Sequence, residues 1–66
     1  MQILLNGQPF TCPNDCTVAR LLELRHLPTA GTAVARNDAV VRKATYAETV
    51  LLPGDRVEII HAVAGG

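Results

Sequence analysis

The sequence predicts a two-layer α+β domain, a mixed sheet of four or five strands packed on one main helix. Three observations carry this. Two short β-prone runs flank Asn6-Gly7, the strongest two-residue hairpin signal. Between Val18 and Leu24 the apolar residues recur at helical spacing. After that stretch the chain returns to short extended runs separated by turn residues, ending in the alternating run Arg56 to His61.

The first element is a hairpin. With Asn6 and Gly7 as the turn, Leu5 faces Gln8, Ile3 faces Phe10 and Met1 faces Cys12. Cross-strand partners share a face, so Ile3, Leu5, Phe10 and Cys12 are expected to point into the core. Pro9 falls on the other face and donates no ladder bond, which suits an edge. Pro13-Asn14-Asp15 is a turn cluster, and Thr17 is placed as the N-cap of the helix. Val18, Leu21, Leu22 and Leu24 form the apolar stripe, with Arg20, Glu23 and Arg25 off it. Cys16 before the cap and Leu21 at the fourth helical position have the spacing of a hydrophobic staple. Arg20 stands where a capping box needs Glu or Gln, so that motif is missing. Pro28 and Gly31 are expected to end the helix in a loop.

Ala33 to Asn37 reads as extended, Asn37-Asp38 as a turn and Val40-Val41 as a short strand. Ala44 to Ala47 is expected to form one helical turn introduced by Thr45. In Leu52-Pro53-Gly54-Asp55 the proline presets φ and the glycine accepts positive φ, a type II turn signal. It launches Arg56 to His61, with Val57 and Ile59 facing inward. A hairpin, a crossing helix and a strand returning beside the first is the β-grasp arrangement, with helix on one sheet face and the other open. The pattern places Val34, Arg36, Glu58 and Ile60 on that open face.

Composition narrows the function. Sixty-six residues make one small domain, which loses only ~60% of its extended surface on folding. Such a chain has little room for a deep catalytic cleft. Six Lys+Arg balance six Asp+Glu, which argues against a partner bound through its phosphate backbone. No apolar run reaches the ~20 residues that span a bilayer, and there is no signal-peptide pattern. The chain is therefore expected to be cytoplasmic, with Cys12 and Cys16 reduced.

The end of the chain is its most informative part. Two terminal glycines arise by chance in about one chain in two hundred at ~7% glycine usage. A frayed terminus is the ordinary explanation, but Gly65-Gly66 follows a strand with no polar spacer, through Ala62, Val63 and Ala64. Glycines without Cβ atoms can thread a narrow site, and the terminal carboxylate of Gly66 is ionised and sterically open. It can attack the α-phosphate of ATP to give an acyl-adenylate. The chain has neither G-x-x-x-x-G-K-[ST] nor G-x-G-x-x-G, so the nucleotide would be held in a partner's site.

Met1-Gln2-Ile3-Leu4 with Asn6-Gly7, the Thr17-Val18…Leu21-Leu22 helix start, Ala33-Val34-Ala35-Arg36-Asn37, Pro53-Gly54-Asp55 and Ala64-Gly65-Gly66 together resemble the thiamine-biosynthesis sulfur-carrier family, ThiS. The resemblance covers essentially the whole chain. It implies a ubiquitin-like β-grasp fold over residues 1–66, with 62–66 a flexible tail. It also implies adenylation of Gly66 by a ThiF-like activating enzyme, conversion to a thiocarboxylate with sulfur from a donor protein, and delivery to the thiazole ring on a ThiG-like thiazole synthase. The carrier would be a protein co-substrate and not an enzyme, binding no cofactor itself. The chain departs from the family pattern at Arg36, where an aliphatic residue is usual, and at Val41-Arg42-Lys43, where a Pro-Arg pair is common.

The remaining residues read more plainly. Cys12 and Cys16 are spaced C-x-x-x-C, wrong for a C-x-x-C redox or zinc site, and suit small buried hydrophobes. His26 and His61 are scattered imidazoles without a ligand set. Arg42-Lys43 reads as a solvated loop. Ile60, branched and close to the tail, is either cover for the sheet or a docking residue; as the latter it would meet a partner together with Val63 while Ala64, Gly65 and Gly66 thread inward. Two alternatives stand beside the thiazole carrier. One is the small-subunit sulfur carrier of molybdopterin synthase, which generally runs longer; the other is a non-conjugated β-grasp interaction module. No nucleophile–base constellation supports a stand-alone enzyme.

Overall fold

A computed structural model describes residues 1–61. The elements are β1 (Gln2–Leu5), β2 (Gln8–Thr11), α1 (Val18–Leu24), β3 (Thr32–Arg36), β4 (Ala39–Val41), a 3₁₀ turn (Lys43–Thr45) and β5 (Arg56–His61). The five strands form one sheet in the order β2-β1-β5-β3-β4. β1 and β5 run parallel at its centre and the other neighbours are antiparallel. The strand that returns beside β1 is thus the last one, and the expected β-grasp arrangement is present.

Asn6 and Gly7 take φ of 50° and 81°, the two left-handed residues of a type I′ turn. That turn sets the expected register, Leu5↔Gln8 and Ile3↔Phe10. The pairing continues to Met1 and Cys12, whose backbone groups exchange bonds of 2.7 and 2.9 Å. Thr17 caps α1 as expected, its hydroxyl accepting from the Arg20 N–H at 3.1 Å. The far end differs from expectation. The helix stops at Leu24, before Pro28, because His26 turns left-handed at φ 57°. The His26 N–H bonds to Glu23 O and the Leu27 N–H to Leu22 O, a Schellman motif built without glycine.

Ile3, Val18, Leu21, Val34, Leu51 and Val57 are each almost wholly buried between sheet and helix. Phe10 is only partly buried against this core, with the Arg25 guanidinium 5.7 Å from its ring centre. Pro53-Gly54 makes the expected turn, with Gly54 at φ 83°. The 3₁₀ turn falls one residue early, at Lys43–Thr45, and Thr45 closes it by donating to Arg42 O at 2.7 Å.

One expectation about the faces is corrected. Val34 pairs with Ile59, and Arg36 with Val57, so both point to the helix side and not to the open face. The open face carries Glu58 and Ile60 as expected, but opposite Ala35 and Ala33. Register between distant strands decides this, and a one-residue change of register exchanges every side chain between faces.

Candidate functional site: the end of the central strand

β5 lies between β1 and β3, so the strand leading into the C-terminal segment is the central one of the five. Its two ends are held differently. At the start, Asp55 is 7% exposed and accepts from Arg36 Nε at 2.7 Å, Asn37 Nδ2 at 3.1 Å and the Leu52 N–H at 2.8 Å. Burial alone raises the carboxyl's pKa, yet the bonds from Leu52, Asn37 and Arg36, with the guanidinium charge, outweigh it and hold the pKa below the usual aspartate value. Next to it, Asn37 exchanges bonds with the Arg56 backbone, and Arg56 reaches Asp38 at 2.9 Å on the surface.

At the other end the side chains turn outward. Ile60 is 69% exposed on the open face, opposite the small Ala33, so it projects above its surroundings. Val40, 81% exposed, stands on the same face across Ala35 from Glu58. Around Ala33 and Ala35, two exposed apolar side chains flank one carboxylate, which suits contact with a partner more than solvent.

Two polar contacts secure this end. Asn6 Oδ1 accepts the Ile59 N–H at 2.9 Å, and Asn6 Nδ2 donates to Ile59 O at 3.3 Å. On the β3 side, the buried Thr32 hydroxyl donates to Pro28 O at 2.5 Å. That uses its single hydrogen, so the 3.0 Å contact with His61 has the ring Nδ1–H donating to Thr32 Oγ1. His61 is therefore tied into the strand end and is not an incidental imidazole. The Asn6-Gly7 signal is legible as a turn, but nothing local ties Asn6 to a residue 53 positions away.

Of the expected site residues, Ile60 is the one the structure describes. Val63, Ala64, Gly65 and Gly66, and the expected tail 62–66, lie outside the described residues. The cysteines match their plain reading: both are buried and free. Burial first, and then the neighbouring Cys12, push the Cys16 thiol's pKa up, away from the reactive thiolate. Among the described residues no group of three or more His, Cys, Asp or Glu is placed to hold a metal ion. No helix among them is long and apolar enough to cross a membrane.

Comparison with known proteins agrees with this geometry. The ThiS family model matches residues 3–66. The sulfur carrier protein ThiS of Escherichia coli is 36% identical over 66 residues, covering all of both chains. A thiazole synthase of Magnetococcus marinus is 38% identical over 66 residues, which are 100% of this chain and 20% of that protein. The chain thus spans about a fifth of the thiazole synthases it matches, the second being from Paramagnetospirillum magneticum. The crystal structure of the thiamine biosynthesis protein (ThiS) from Geobacter metallireducens aligns over both full chains with a TM-score of 0.83 at 28% identity. With a family match over nearly its whole length, a full-length relative and the same β-grasp fold, the chain belongs to the ThiS family.

Proposed function

We propose that the chain carries sulfur as a thiocarboxylate on Gly66. Membership in the ThiS family makes it a sulfur carrier of thiamine biosynthesis, a protein acted upon and not itself a catalyst. The finer steps are our reading. The Gly66 carboxylate attacks the α-phosphorus of ATP in the site of a ThiF-like activating enzyme, releasing pyrophosphate and forming the acyl-adenylate. Sulfur at the sulfide level, brought by a donor protein, attacks the acyl carbon and expels AMP. The thiocarboxylate then delivers its sulfur to the thiazole ring on a ThiG-like thiazole synthase. Two relatives named thiazole synthase contain a stretch matching this whole chain, which supports that choice of acceptor.

The observation that carries this reading is the asymmetry of β5. The central strand presents an exposed Ile60 at its penultimate position, five residues before Gly65-Gly66. Ile60 and Val63 meet the partner, and Ala64, Gly65 and Gly66 reach into its site. Without a phosphate-binding motif the chain binds no cofactor of its own; ATP is consumed in the partner. The reaction belongs in the cytoplasm, where ATP and a reducing environment keep the chemistry available. High-resolution mass spectrometry tests it after incubation with ATP, a ThiF-like enzyme and a sulfur donor. A gain of about 16 Da placed on Gly66 by fragmentation is expected; the same gain on a cysteine or methionine is oxidation and counts against it.

A further inference from the structure

The central strand loses a neighbour just before its end. β1 pairs with β5 as far as Leu5↔Val57, and the Asn6 N–H reaches Val57 O at 2.9 Å. There the chain turns away toward β2, and no strand residue of β1 remains to meet Ile59. The Asn6 carboxamide fills that place. Its oxygen accepts the Ile59 N–H and its nitrogen donates to the Ile59 carbonyl, the two bonds that a continued parallel strand would supply from two successive bonding residues.

The hairpin turn alone does not demand this residue. A left-handed first position is filled equally by glycine or aspartate. Only a carboxamide also offers a donor and an acceptor together. On the β3 side, pairing continues to Thr32↔His61, with the Thr32–His61 side-chain contact beyond it. Ile59 is thus gripped from both flanks, and the exposed Ile60 follows directly.

We propose that Asn6 is a positioning residue for sulfur-carrier activation: by standing in for the missing continuation of β1 it fixes the direction in which β5 presents Ile60. The proposal rests on the carrier role argued above. An activating enzyme that meets a prearranged strand end need not order it on binding, and ordering costs binding free energy.

Asn6→Gly and Asn6→Asp test this in the full chain. Two readouts are needed: amide hydrogen exchange at Ile59, and ATP–pyrophosphate exchange with a ThiF-like enzyme at varied carrier concentration. Asn6→Gly keeps the turn and the far-ultraviolet circular dichroism of the parent. Its Ile59 amide exchanges faster, and KM rises on the order of tenfold while kcat is little changed. Asn6→Asp falls between, because it retains the acceptor for the Ile59 N–H and lacks the donor to Ile59 O. A parental KM in Asn6→Gly overturns the proposal, as does a loss of activity that tracks thermal unfolding. If the parent chain itself supports no exchange, the carrier reading has failed, and this proposal falls with it.

Discussion

The two ends of β5 are built to opposite rules. At its start a buried carboxylate gathers an arginine, an asparagine and a backbone N–H, all within 3.1 Å. At its end the side chains turn outward and the grip passes to two contacts on the flanks, Asn6 on Ile59 and Thr32 on His61. Buried polar groups with full partners specify one arrangement and hold it. Exposed apolar groups contribute little to the isolated fold and become useful when a partner covers them. If the strand's end is the docking surface proposed above, stability is concentrated where the strand begins and recognition where it ends, and substitutions at the two ends should separate the two properties.

The largest expected effect is at Gly66. A valine there adds a branched Cβ beside the reacting carboxylate, where the partner's site has to accept a bare backbone. Gly66→Val abolishes ATP–pyrophosphate exchange with the activating enzyme and leaves the melting temperature unchanged. Full activity in that variant would remove the terminal glycine from the mechanism.

Asp55→Ala should act in the opposite sense. It removes three bonds, two of them from the side chains of Arg36 at the end of β3 and Asn37 just after it, and leaves Arg36 without its partner. Arg36 is about one-quarter exposed and regains some solvation, so the loss is about 2–3 kcal/mol and not the larger cost of a fully buried orphan charge. For a domain this small that lowers the melting temperature by roughly 10–20 °C. Below that temperature, activation kinetics should match the parent. The same network predicts a pH dependence. The folded pKa lies below the ordinary 3.8, so the unfolded chain takes up protons first as pH falls. The stabilisation is complete above that ordinary value and disappears as pH drops through the folded one. Denaturant titrations of the parent and Asp55→Ala should therefore converge in acid; a gap that persists there would assign the effect to packing.

These two ends were unequally legible in the sequence. Asn6-Gly7, Thr17 and Pro53-Gly54 each announce a local backbone conformation, and local conformation is what short motifs encode. The hairpin register, the N-cap and the last turn follow from them. The helix-side placement of Val34 and Arg36 is not legible locally: in Thr32–Arg36 a threonine, a valine and an arginine share one side and two alanines the other, so the register with β5 decides. Asp55's side-chain partners and Asn6's partner lie 18 or more positions away, and no spacing rule reveals them. His26 ends the helix in a conformation usually given to glycine, so the chain's own punctuation pointed past the true stop. At the site, Ile60 was found from exposure expected on an alternating strand, whereas Thr32 and His61 read separately as nothing in particular.

Ile60→Asp probes the outward end directly. The side chain leaves little buried contact behind, so stability should shift by no more than about 0.5 kcal/mol. A charge placed where a partner expects an apolar surface, beside Glu58 on the same face, should raise KM for activation on the order of tenfold. An unchanged KM would assign Ile60 to sheet cover and move the docking surface elsewhere.

The smallest effect is also the control. Arg56 and Asp38 join the same two elements as Arg36 and Asp55, at nearly the same distance, 2.9 Å against 2.7 Å. They differ in surroundings: both side chains of the outer pair are more than half exposed. In water the attraction is screened, and holding two mobile side chains together offsets much of what remains. Asp38→Asn preserves the shape and the tolerance for the left-handed backbone at φ 70° while removing the charge. It should change stability by less than about 0.5 kcal/mol, and that change should vanish in molar salt. A loss comparable with Asp55→Ala would mean that the whole β3–β4 connection acts as one cooperative clamp on the strand's start, and that burial of Asp55 is not what separates the two pairs.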